Sequence, residues 1–141
     1  MKSLKEILSK RVYPCEDMQR IFVLVKPGSL DHSQYIIEGL EKLGWKVCQT
    51  RVKILTLKEA HKLYEPHKKE SFYKDLCNYM ISGPCRAFIF CREGRMTDKV
   101  FNEINEFKKE VRDKFGESEM RNVMHSSDSM ERVEIESNIF F

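Results

Sequence analysis

No stretch of this chain is apolar for long enough to cross a membrane, so a membrane-spanning role is not expected. The opening residues, Met1 to Lys10, alternate lysine and glutamate with Leu4, Ile7 and Leu8 and lack the unbroken apolar run of an export signal. They read as a short amphipathic helix or a frayed arm, and cytoplasm is the expected compartment. Neither sign of charge dominates: 25 Lys and Arg stand against 22 Asp and Glu, interleaved along the chain, for a net charge of +3. The clustered basic face of a nucleic-acid binder is missing, and no specific nucleic-acid partner is expected. The five cysteines (Cys15, Cys48, Cys77, Cys85 and Cys91) are odd in number and contain no C-x-x-C pair. Zinc and redox motifs therefore lack support, and these residues read as small buried apolar side chains in a reducing compartment. There is no internal repeat and no low-complexity segment, and 141 residues suit one compact domain.

What is present alternates between two periodicities. Ile21 to Val25 is an unbroken apolar run ended by Lys26-Pro27-Gly28, which predicts a buried strand entering a turn. Asp31 with Gln34 resembles a capping box ahead of Ile36, Ile37, Leu40 and Leu43, and Gly44 sits where a C-cap glycine belongs. Trp45 to Ile54 predicts a second strand, with Val52 and Ile54 on one face. A second capping box, Thr56 with Glu59, opens a short helix, and Phe72 to Ile81 fits a third, broken by Ser82-Gly83-Pro84. Cys85 to Cys91 is the third strand. From Thr97, the spacing of Val100, Phe101, Ile104, Phe107, Val111 and Phe115 predicts one long helix, and residues 95–115 contain no glycine or proline to interrupt it. Asn122 to His125 predicts a short last strand, and Asp128 with Glu131 a cap on the final helix. The order predicts an α+β fold, a ferredoxin-like sandwich of one four-stranded antiparallel sheet with helices on a face.

The informative segment is Arg121-Asn122-Val123-Met124-His125-Ser126-Ser127-Asp128-Ser129. A histidine ends a strand, and hydroxyls and a carboxylate follow at a helix N-terminus. Free backbone N–H groups there favour a phosphate, and unprotonated imidazole is a competent nucleophile near neutral pH. That pairing is what phosphohistidine chemistry needs.

The same segment resembles the Asn-x-x-His-Gly-Ser-Asp signature of nucleoside diphosphate kinases, through Asn122, His125, Ser127 and Asp128, with Ser126 in place of the glycine. Ile21 to Pro27 resembles that family's first strand and Lys-Pro turn, Tyr64 to Pro84 its nucleotide-edge helices, and Glu136 with Ile139-Phe140-Phe141 its C-terminal end. The resemblance covers residues 19–141 and leaves 1–18 as an N-terminal extension. It implies ping-pong transfer of a γ-phosphate from ATP or another nucleoside triphosphate to a diphosphate. His125 would be the phosphorylated nucleophile, held by Glu136 and Ser127. Lys26 would contact the phosphates and stabilise charge during transfer. Tyr64 and Asn122 would complete the pocket, Phe72 would stack on the base beside Leu76, and Arg112 would grip the phosphates. Mg²⁺ would arrive with the nucleotide, Asp128 touching its waters, with no direct protein ligand. A homo-oligomer, a hexamer or a tetramer built from dimers, is also implied.

The chain departs from the family pattern in three places. Glu70 stands where the family carries a base, Gly28-Ser29 replaces Asp-Gly, and the stretch from Gly94 to Arg112 is several residues shorter. The family has there a Gly/Pro-rich loop bearing a phosphate-binding arginine and threonine. Ungapped counting puts Asn102 at that arginine, and the threonine has no counterpart. The truncated clamp and Glu70 favour an alternative reading, a catalytically weak or inactive nucleotide-binding or protein-interaction module of the same fold. His125 with Glu136 favours the enzyme.

Overall fold

Residues 17–141 are described by the structure, a computed structural model. The expectation for Met1 to Lys10 lies outside them. Strand β1 (Met18–Val25) is central, because its apolar run is buried on both faces. Ile21, Val23 and Val25 point to one side of the sheet, and Phe22 and Leu24 to the other. β2 (Lys46–Lys53), β3 (Cys85–Glu93) and β4 (Met124–Ser126) complete a sheet of order β2-β3-β1-β4. Every pair is antiparallel. This is the expected sandwich, with helices over both faces rather than one.

On one face lie α1 (Ser33–Lys42) and α4 (Asp98–Phe115). Ile36 and Leu40 meet Val100, Ile104, Phe107 and Val111 there, over Phe88 and Phe90 of β3. The two helices approach closely at Gly39, where a Cβ would lie 2.5 Å from the Phe107 ring. On the other face lie α2 (Leu57–Leu63), α3 (Tyr73–Met80) and α5 (Met130–Phe140). Leu63, Cys77, Met80, Val133 and Phe140 fill the space between them and Phe22, Leu24 and Ile89.

Two of the three expected caps form differently. Thr56 and Glu59 make the reciprocal capping box as predicted. Asp31 does not cap α1: Leu30–His32 is a short 3-10 turn, and Gln34 bonds Glu38 instead. The cap of α5 is Ser129, whose Oγ accepts from Arg132 N at 3.2 Å, so the Asp128 carboxylate is left free of that duty. At its other end α5 is pinned by β2: Arg51 and Lys53 donate to the carbonyls of Phe140 and Ile139, each at 2.9 Å. Cys77, Cys85 and Cys91 are buried, as expected, whereas Cys48 is only half-buried and lies sulfur to sulfur with Cys91 across β2 and β3. Cys48 occupies the irregularity in the β2–β3 register between Val47 and Gln49, and strand spacing alone gives no sign of that pairing.

Candidate active site

β4 is three residues long and pairs His125 with Leu24 of β1. Its ring therefore lies on the face covered by α2 and α5, 5.5 Å from the Tyr64 ring and 6.5 Å from that of Phe22. From α5, the buried Glu136 reaches the imidazole: Oε1 lies 2.5 Å from His125 Nε2 and accepts from Ser127 Oγ at 2.8 Å. Its other oxygen accepts from Arg132 Nε at 2.9 Å. Arg132 also donates to the Leu63 carbonyl at the end of α2, so one guanidinium ties two helices to the carboxylate. Burial pushes the Glu136 carboxyl up, but the bonds from His125, Ser127 and Arg132 together hold it below the ordinary range. Burial pushes the His125 imidazole down, and Lys108 and Lys26 add to this against the opposing pull of Glu136. A neutral ring that donates from Nε2 keeps its lone pair on Nδ1.

Around His125 opens a cavity of about 520 Å³. Three cations line it: Lys26, Lys108 and Arg112. Lys26, at the end of β1, is buried. Its Nζ donates to Asn122 Oδ1 at 2.6 Å and to the Met120 carbonyl at 3.3 Å. The turn that carries it is fixed by Gly28 at φ 84° and by Tyr79 Oη, which donates to the Pro27 carbonyl at 2.5 Å. Burial, with Arg112 and Lys108 nearby, pushes the Lys26 ammonium down to about 7. Between Asn122 and β4, Val123 is held at φ 78°, the one non-glycine residue at positive φ among the described residues. A β-branched residue there costs about 1–3 kcal/mol, and the site keeps it between two of its own members.

Phe72, at the N-cap of α3, and Leu76 lie on the same wall as His67. Phe72 is 44% exposed although most aromatics here are core, as suits a stacking platform. Tyr64 Oη and Ser126 Oγ, on two other lining residues, are buried without a hydrogen-bond partner. Unpaired buried hydroxyls are costly.

The pocket thus brings together His125, Lys26, Tyr64, Phe72, Leu76, Arg112, Asn122 and Asp128, with Ser127 and Glu136 behind the imidazole. Glu70 is exposed and is not on the pocket wall, so the acid feared beside the phosphates points elsewhere. Asn102 is likewise exposed and away from the wall; Asn105 and Lys108, three and six residues further along the helix, are on it. Sequence reasoning missed Arg132, Lys108 and Asn105. The spacing of Arg132 to Glu136 and of Lys108 to Arg112, one helical turn each, was the available signal. No three His, Cys, Asp or Glu side chains converge as metal ligands among the described residues.

A family model described as nucleoside diphosphate kinase matches residues 19–141. The nucleoside diphosphate kinase of Kosmotoga olearia is 32% identical over 133 residues, covering 88% of this chain and 89% of that protein. That of Saccharolobus solfataricus is 34% identical over 132 residues, covering 87% and 94%. Among solved structures, the Aquifex aeolicus nucleoside diphosphate kinase matches with a TM-score of 0.73 at 26% identity, over 88% of this chain and 95% of that one. The apo enzyme of Encephalitozoon cuniculi has the same fold, with a TM-score of 0.74 at 19% identity over 86% and 87%.

Proposed function

The chain belongs to the nucleoside diphosphate kinase family, and from that premise we propose that His125 Nδ1 is the atom on which the phosphate rests between nucleotides. The reaction is transfer of the γ-phosphate of a nucleoside triphosphate to a nucleoside diphosphate. The observation that carries the assignment is the 2.5 Å contact of His125 Nε2 with Glu136 Oε1, which commits one ring nitrogen and leaves the other to react.

In the first half-reaction the Nδ1 lone pair forms a bond to the γ-phosphorus. The bond from that phosphorus to the β–γ bridging oxygen breaks, and the diphosphate leaves with its electrons. Nε2 keeps its proton, and Glu136 faces the positive charge the ring gains. Lys26 and Arg112, both on the pocket wall, would stabilise the phosphate charge, which is most of what phosphoryl transfer asks of a protein. The second half-reaction reverses these steps: a terminal phosphate oxygen of the acceptor attacks phosphorus and the ring returns to neutral.

Mg²⁺ is the proposed metal. Two exposed carboxylates on the pocket wall, Glu119 and Asp128, and no preformed cage among the described residues fit an ion that would come in on nucleotide phosphates and keep its waters. Bound there, it would neutralise phosphate charge. A homo-oligomer, a hexamer or a tetramer of dimers, is also proposed. In its support, the edge strand β2 exposes Val47 and Val52 beside Ile54, and light scattering measures the mass. The proposed compartment is the cytoplasm, where nucleoside triphosphates are kept.

Intact-mass measurement after ATP and Mg²⁺ tests the assignment. One acid-labile phosphate is expected, discharged by GDP; folded protein that takes up none at saturating ATP sinks it. Two further results are expected. Phe72→Ala raises KM roughly 5- to 150-fold, the worth of about 1–3 kcal/mol of base stacking, with kcat little changed for any base. A strong dependence of that loss on base identity would count against a stacking role. The pH profile of kcat/KM falls on the acid side only below 6.5, because burial keeps His125 neutral. It falls on the alkaline side from about 7, as Lys26 loses its proton and the pocket its charge. An acid limb centred above 6.5 would contradict the geometry.

A further inference from the structure

The three pocket cations are not equally available. Lys26 Nζ is bound by Asn122 and Met120. Arg112 spends Nε and Nη2 on the Met124 carbonyl, at 3.2 and 2.8 Å, fastening α4 to the strand that carries His125. Lys108 has no hydrogen-bond or ion-pair partner for its Nζ among the described residues, although it is half-buried and lines the same cavity. It sits one helical turn before Arg112, so two like charges share one helix face without an acid between them.

We propose that Lys108 is the principal phosphate-clamping side chain of this enzyme, supplied by the continuous helix α4. The inference rests on the phosphotransfer reading above. α4 carries two stripes. Val100, Ile104, Phe107 and Val111 face the sheet, and beside them Asn105, Lys108 and Arg112 face the cavity. A helix can bring a long side chain to the cavity only from this second stripe, and Lys108 is its one uncommitted cation. The ligand is a di- or triphosphate chain. Burial and the nearby Arg112 push the Lys108 ammonium down to about 8, a cost that a bound anion would offset.

The test uses the full chain and compares K108Q, K108R and wild type by titration with ADP, with adenosine as the phosphate-free control. K108Q is expected to bind ADP about 10- to 100-fold more weakly, the loss of one charge-assisted contact, and adenosine as well as wild type does. K108R is expected to stay within about fivefold for ADP, since it keeps the charge. Without nucleotide, K108Q is expected to melt no lower than wild type, because it removes a charge beside Arg112. ADP affinity within twofold of wild type, or a lower melting midpoint, overturns the assignment. Wild-type protein that takes no phosphate from ATP overturns the reading beneath it instead.

Discussion

Replacing His125 by alanine is expected to abolish phosphoenzyme formation and to lower turnover by roughly 10⁴–10⁶-fold, the cost of losing the nucleophile of a covalent mechanism. The fold is expected to survive within about 2 kcal/mol. Glu136 keeps Ser127 and Arg132 as donors when the imidazole goes, so no buried carboxylate is stranded. The ring's edge contacts with Phe22 and Tyr64 are the packing that is lost. ADP affinity is expected to stay close to wild type, because Lys26, Lys108, Arg112 and Phe72 are untouched. The pairing of intact binding with absent transfer is the diagnostic. A residual acid-labile phosphate on the variant would show that another side chain carries it.

The second large effect is expected at Glu136. Its carboxylate is 3% exposed and accepts from three side chains at once. Glu136→Ala leaves the Arg132 guanidinium, 15% exposed, without its carboxylate. Breaking a buried pair from one side costs about 3–5 kcal/mol, and a denaturant titration measures it. Glu136→Gln separates catalysis from that damage. An amide offers one acceptor and one donor where the site presents donors on both sides, so either His125 with Ser127 or Arg132 meets another N–H. The lost charge also removes the compensation for the imidazolium formed during transfer. Phosphorylation is expected to slow by on the order of 10²–10³-fold. Glu136 is not on the pocket wall, so ADP affinity should hold. A Gln variant that phosphorylates at the wild-type rate would reduce Glu136 to a structural residue.

The position of Lys108 follows from the phase of α4. The absence of glycine and proline over 95–115 forces one helix, and a helix has a fixed rise and a fixed set of faces. Once Phe107 and Val111 are anchored against the sheet, Lys108 and Arg112 turn toward the cavity together. Counting residues against a loop pattern led to Asn102, because a loop has no such phase.

Local pattern by itself determined most of the framework. The unbroken run Ile21 to Val25 required a strand covered on both sides, the capping box at Thr56 and Glu59 set the start of α2, and the spacing from Val100 to Phe115 required the long helix. The segment from Asn122 to Asp128 set a histidine beside a helix N-terminus, and its resemblance to a family signature pointed to phosphohistidine chemistry. These are signals between residues a few positions apart, and periodicity carries them. Tertiary structure decided the rest. It gave the cap of α5 to Ser129 and thereby left Asp128 to the pocket. It brought Cys48 against Cys91 across a register irregularity, and fastened Arg112 to the Met124 carbonyl while keeping it on the pocket wall. It also showed that Lys108, one cation among many in the sequence, is the one without a partner. Such assignments depend on who meets whom across the fold, as when Lys26 finds Asn122 96 residues away. Hydrogen-bonding capacity is a property of a residue, whereas its satisfaction is a property of the packed molecule.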